Sequence, residues 1–240
     1  SLDQGLDGIR TTEKALKKAG VAQTGSASSP SRQRRPLILK AKGVSVGVLA
    51  YTTSTNGIPL PAPWSVNLAA PERILADARR LRRRGAEVVL VNVHWGDEDS
   101  TEINAEQQGI AEVLTRSRAV TAVVGQGPHV VQPIRRLNGR PVVFSEGNLL
   151  SNQTPGCCAP GSQDGLIGIL EVTVRRGRDR LTDVDYVPTW VRHPDFTVLP
   201  LGRTARSGEA PRATLTASYE RTVSVAGRAK DVHPVPRKRP

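Results

Sequence analysis

Two histidines follow directly on apolar, β-branched runs. "VVLVNV" runs into His94, Trp95, Gly96, Asp97 and Glu98, and "VTAVV" runs into Gly125, Gln126, Gly127, Pro128 and His129. In open α/β sheets, ligands gather beyond the carboxyl ends of strands, where loops bring together residues distant in sequence. His94 and His129 can therefore share one site. Imidazole binds zinc, iron or manganese through one ring nitrogen, and the glycines beside each histidine leave room for a metal or an anionic substrate. A third run, "RPVVFSEGN", delivers Ser145, Glu146, Gly147 and Asn148, which can add polar groups to the same rim. Either histidine alone reads better as a hydrogen-bonded structural residue. Their repeated placement at strand ends is what makes the functional reading competitive. His193 and His233 lack that setting and read as structural or solvated.

These side chains need strands and helices to hold them. "VSVGVLAYT" from Val44, "AEVVLVNVHWG", "AVTAVVG" and "RPVVFSEGN" have the continuous apolar character of buried strands. Between them, Pro71 opens a helix whose Ile74, Leu75, Ala78 and Leu81 form one apolar stripe ending before Gly85. The arginines of that helix read as a solvated face in preference to a phosphate cradle. Asn104 followed by Gln107 resembles a capping box for a helix carrying Ile110, Val113 and Leu114. Upstream, Leu6, Ile9 and Leu16 suit an amphipathic helix with lysines in its last turn and Gly20 beyond. "GLIGILEVTV" and "LTDVDYVPTWV" read as a late antiparallel pair. Strands alternating with helices predict a layered α/β domain with a β-rich ending.

Composition narrows the classes. The chain has 240 residues, 38% of them hydrophobic, enough for one substantial core. No apolar run approaches the roughly 20 residues needed to span a bilayer. The only cysteines, Cys157 and Cys158, are adjacent. A bond between neighbours is far from ordinary disulfide geometry, and two adjacent thiols are not a CxxC metal site. Half of the net charge of +12 lies from residue 202 onward, where nine Lys or Arg face three acids. We expect residues 202–240 to be a basic, largely disordered tail, with a weak grip on polyanions as the sharper alternative. Specific nucleic-acid binding is not expected, because aromatics are 3% of the chain and no nucleic-acid motif is present.

Several collinear motifs then carry a resemblance over roughly Leu2 to Pro200. "DQGLDGIRTTEKALKKAGVAQTG", "VGVLAYT", "VNVHWGDE", "EQQGIAEVL", "VVGQGPHVVQPI", "LNGRPVVFSEGNLLSNQ" and "QDGLIGILEV" occur in the order and spacing of the CapA-type poly-γ-glutamate capsule synthesis family. That family is similar to the calcineurin-like metallophosphatases. The resemblance implies a layered sandwich of β-sheets flanked by helices over residues 1–201, with amino-terminal strands missing. It implies His94, in His-Trp-Gly, and His129, in Gly-x-x-Pro-His, as metal ligands. It further implies Asp97 or Glu98 as auxiliary acid or base, and Asn148 and Gln126 on the substrate side. The cofactor would be a divalent metal (Mn, Fe or Zn) in a two-metal hydrolase strategy. The partners would be an anionic polymer such as poly-γ-glutamate and membrane-associated capsule machinery at the cell surface.

Two departures bear on that site. The family's acidic motifs, Gly-Asp, Asn-Leu-Glu and Asn-x-His, precede the segment that opens at Ser1. Gln126 also stands where histidine is common, and a neutral amide is a poor ligand for a transition metal. Metal is therefore expected in the intact parent, with little or none on this chain. A non-catalytic module that holds polyanions on its cleft and basic surfaces is the competing expectation.

Overall fold

The computed structural model describes residues 2–175, 177–202, 208 and 210–235. Its frame is a six-stranded sheet in the order β1 (Leu37–Ala41), β2 (Val44–Thr52), β3 (Val88–His94), β4 (Ala122–Gln126), β6 (Arg140–Val143), β5 (Ile134–Leu137). β2, β3, β4 and β6 run parallel, and β1 and β5 close the two edges as antiparallel hairpin partners. Two-residue turns fix the register of both hairpins: Lys42-Gly43 and Asn138-Gly139 all take positive φ, the twist that such short loops require.

Alternation of the buried side chains dictates which face of this sheet is covered. In β2 every second residue from Ser45 to Tyr51 is buried. Helices α3 (Pro71–Arg83) and α4 (Ala105–Thr115) pack on that face. Ile74, Ala78 and Leu81 meet Leu49, Val89 and Val91 in the main core. Both helices begin as the sequence predicts, α3 with proline in its first turn and α4 with the Asn104/Gln107 capping box. The upstream helix, α1 (Gly5–Lys18), also forms, Gly20 follows it at φ 70, and a short α2 (Pro30–Gln33) precedes β1.

A second sheet follows in the chain: β7 (Asp164–Arg175) pairs antiparallel with β8 (Arg178–Arg192), which also pairs with β9 (Thr197–Pro200) and β10 (Val232–Pro234). Leu166, Val184, Tyr186 and Val232 of this sheet pack with Ile134 and Val143 of the first and with Val131 in the loop before β5. The molecule is thus a mixed α/β assembly of two sheets flanked by helices.

The carboxy-terminal segment departs from expectation. Arg212–Ala226 is a helix, α5, and Val232–Pro234 joins the second sheet, so this span is not a disordered tail. Leu215 and Tyr219 of α5 bury against Leu199 and Leu201. Asp164, 2% exposed, fixes the helix by accepting from Ser218 at 2.5 Å and pairing with Arg221 at 2.8 Å. Residues 203–207, 209 and 236–240, which belong to the same expected tail, lie outside the described residues.

Candidate functional site

The parallel pairing of β3 with β4 sets His94 directly opposite Gln126. On the other side of β3, Thr52 ends β2 level with His94, and its hydroxyl lies 3.4 Å from His94 Nδ1. Three strands therefore end in one row. Beyond that row the chain must turn at once, and tight backbone packing enforces it. A Cβ on Gly125 would fall well inside contact distance of the Phe144 carbonyl and the Trp95 indole, and one on Gly127 would strike the Trp95 carbonyl. Trp95, 1% exposed, anchors the turn by donating its indole N–H to Phe144 O at 2.8 Å and stacking on that ring.

His129 follows in the left-handed region at φ 61. Its Nδ1 lies 2.9 Å from Asn148 Oδ1, so imidazole and amide share a proton-bearing contact with the ring nitrogen as donor. Asn148 is held in turn, donating Nδ2 to Ser162 O at 2.9 Å and to Gln153 Oε1 at 3.1 Å. Gln153 donates to Glu98 at 3.4 Å, and Glu98 stands 4.0 Å from His129 Nε2. His94, His129, Glu98 and Asn148 thus come together, although they leave three different strands. Asp97 is exposed, and no side-chain bond ties it to this cluster among the described residues.

The electrostatics agree with the geometry. Crowding by the strand ends lowers the His94 pKa, and the nearby His129 lowers it further. Charging one imidazole opposes charging the other. Gln126 turns from the histidines in its bonding: its Nε2 donates to Glu146 Oε2 at 3.0 Å. Glu146, one of the polar groups that the third run delivers, has a pKa raised chiefly by burial.

Whether these residues suit a metal is a question of donor chemistry. A hydrolytic centre draws on several imidazole and carboxylate ligands. Among the described residues, no group of three or more His, Cys, Asp or Glu side chains is placed to hold a metal ion. The residues of this chain alone do not fit a complete metal centre. The adjacent Cys157 and Cys158 are free thiols. His193 is structural, as expected: its Nε2 lies 2.7 Å from Ser151 O, and its ring meets Phe196 edge-on.

Comparison with known proteins places this rim in a family. Residues 1–153 match the family model described as bacterial capsule synthesis protein PGA_cap, which takes in the whole six-stranded sheet and every strand-end residue above. The chain is 27% identical over 155 residues to the PGA biosynthesis protein CapA of Bacillus subtilis, a match covering 64% of this chain and 40% of that protein. It is 25% identical over 156 residues to the capsule biosynthesis protein CapA of Bacillus anthracis, covering 63% and 38%. The chain therefore spans about two fifths of the length of these relatives. Among solved structures it is similar to the calcineurin-like phosphoesterase YfkN from Bacillus subtilis, with 15% identity, a TM-score of 0.44 and coverage of 82% of this chain and 59% of that one. The chain belongs to the bacterial capsule synthesis family PGA_cap.

Proposed function

We infer that the parent protein acts at the cell surface in the synthesis or processing of an anionic polymer such as poly-γ-glutamate, beside membrane-associated capsule machinery. The convergence of His94, His129 and Asn148 from three strand ends carries this reading. Acidic polymers present carboxylates and amides, which imidazole N–H and amide groups bind and orient. His94, with its lowered pKa, is uncharged near neutral pH and can accept a proton, while Asn148 fixes the His129 ring. Glu98 and Asp97 are the acids available to assist proton transfer at the mouth.

In this reading the two histidines are part of a metal-dependent hydrolase site that the intact parent completes with carboxylates. A divalent metal (Mn, Fe or Zn) there would polarise the bond to be cleaved. Elemental mass spectrometry tests it on this chain and on a longer form of the protein, each with a His94→Ala, His129→Ala control. Stoichiometric metal in the longer form that disappears in the control supports the hydrolase. Metal absent from both removes it.

The incomplete ligand set and the engagement of Gln126 by Glu146 favour a second reading, a non-catalytic module that holds the polymer electrostatically. Polymer binding that weakens with salt and survives EDTA supports this alternative, whereas binding abolished by EDTA argues for the metal site.

A further inference from the structure

The opposite end of the six-stranded sheet is built from arginine. Helices that cross between parallel strands end where the strands begin, so Arg82 at the end of α3 and Arg118 after α4 lie at the same end as Arg140, the first residue of β6. The hairpin joining β7 to β8 brings Asp179 and Arg180 to that end. Arg82 is fully engaged: it donates to the carbonyls of Ala119 and Glu87 and to Thr121, and pairs with Asp179 at 3.0 Å. Asp179 also accepts from the Thr121 hydroxyl at 2.6 Å. Its charge is therefore already committed.

Arg140 is left short. Its side chain is only 20% exposed, and among the described residues its one ion pair is with Asp179 at 3.9 Å and it makes no hydrogen bond. Burial disfavours its charge first, and Arg82 and Arg118 add to this against the pull of Asp179. A guanidinium carries five N–H donors in a planar fork, and those of Arg140 are open to an acceptor in the adjoining space. Beside it opens a cavity of about 270 Å³ lined by Thr121, Asn138, Gly139, Arg140, Asp179 and Arg180.

We propose that this cavity is an anion site in which Arg140 and Arg180 grip a carboxylate or phosphate oxyanion, at the end of the sheet opposite the histidine rim. An oxyanion accepts two parallel N–H bonds from a guanidinium and adds counter-charge to that of Asp179, which Arg82 and Arg140 share. The site is independent of the histidines, so it stands whichever reading of the rim holds.

Isothermal titration of the full chain with inorganic phosphate and with a defined γ-linked glutamate oligomer tests it. Saturable binding is expected, weakened about tenfold or more by Arg140→Gln, as befits loss of a charge-assisted pair. Arg180→Gln should weaken it too, while Arg79→Gln, an equal charge change on the exposed face of α3, should leave it nearly unaltered. Tighter binding of the oligomer than of phosphate identifies an acidic chain as the source of the oxyanion, and the reverse identifies the free ion. Arg140→Lys, with a thermal melt on every variant, separates lost charge from lost fold. Absence of saturable binding for both probes, or equal weakening by all three glutamine variants, overturns the proposal.

Discussion

The two sheets are held by opposite means. The first has four parallel strands at its centre and an antiparallel partner at each edge, and its chemistry begins where β3 and β4 end and the backbone turns at Trp95 and Gly127. The second is an antiparallel ribbon, outside the matched residues 1–153, and it is secured by polar groups: Asp164 of β7 takes Ser218 and Arg221 from α5. Backbone contacts join the second sheet to the site: the Asn148 N–H donates to Asp164 O at 3.1 Å and the Leu166 N–H to Glu146 O at 2.8 Å. The residue that orients His129 is thus bonded to the residue that anchors the last helix. A chemical rim supplied by one sheet is braced by the other.

The sharpest way to break this relation is Gly125→Ala. The added methyl has nowhere to go between the Phe144 carbonyl and the Trp95 indole. We expect a loss of more than about 3 kcal/mol in denaturant unfolding, with the first sheet failing as a unit. A near-normal midpoint would show that the strand ends are looser than described.

Arg221→Ala comes next and acts on the second sheet. It strands a buried carboxylate, at a cost of about 2–3 kcal/mol, the lower part of the range for broken ion pairs because Arg221 is 42% exposed. Burial already raises the Asp164 pKa, against the pull of Arg221 and Ser218. An acid with a raised folded pKa binds its proton more readily in the folded state, so its cost is full above that pKa and fades as pH falls toward the unfolded value. The deficit of Arg221→Ala should therefore be largest at neutral pH and shrink on acidification. One cooperative transition would show the sheets unfolding together, and two would separate them.

The smallest effect is electrostatic. The folded pKa of His94 lies below its unfolded value, so the unfolded state takes up this proton first and stability falls as pH drops from about 6.5 toward the folded pKa. His129→Ala removes one cause of that depression and leaves burial in place. The His94 ring, followed by NMR, should then titrate at higher pH. An unchanged titration would mean that the two imidazoles do not share a field.

Much of the first sheet was legible in the sequence because its signals are local. Apolar runs, Pro71, the Asn104/Gln107 box and the glycine turns each act within a few residues. The edge strands β1 and β5 went unread, although Lys42-Gly43 and Asn138-Gly139 announce their hairpins. Helix α5 was hidden for a different reason: its buried face includes Ser218 and Thr222, so its apolar stripe is faint and its charges suggest solvent. Besides its packing on Leu199 and Leu201 it is held by Asp164, a partner more than fifty residues away that no short-range pattern reveals. At the rim, the sequence brought out His94 and His129, but the pairing of Gln126 with Glu146 depends on which strands become neighbours.

That distant partnership has a kinetic consequence. The β1–β2 and β5–β6 hairpins close over two-residue turns, on the microsecond scale typical of such local contacts. The Asp164–Arg221 clasp spans 57 residues and waits for α5 to form. During synthesis, the buried carboxylate leaves the ribosome long before the helix that will satisfy it. The buried carboxylate can therefore be satisfied only after the short hairpins of the first sheet have had time to close.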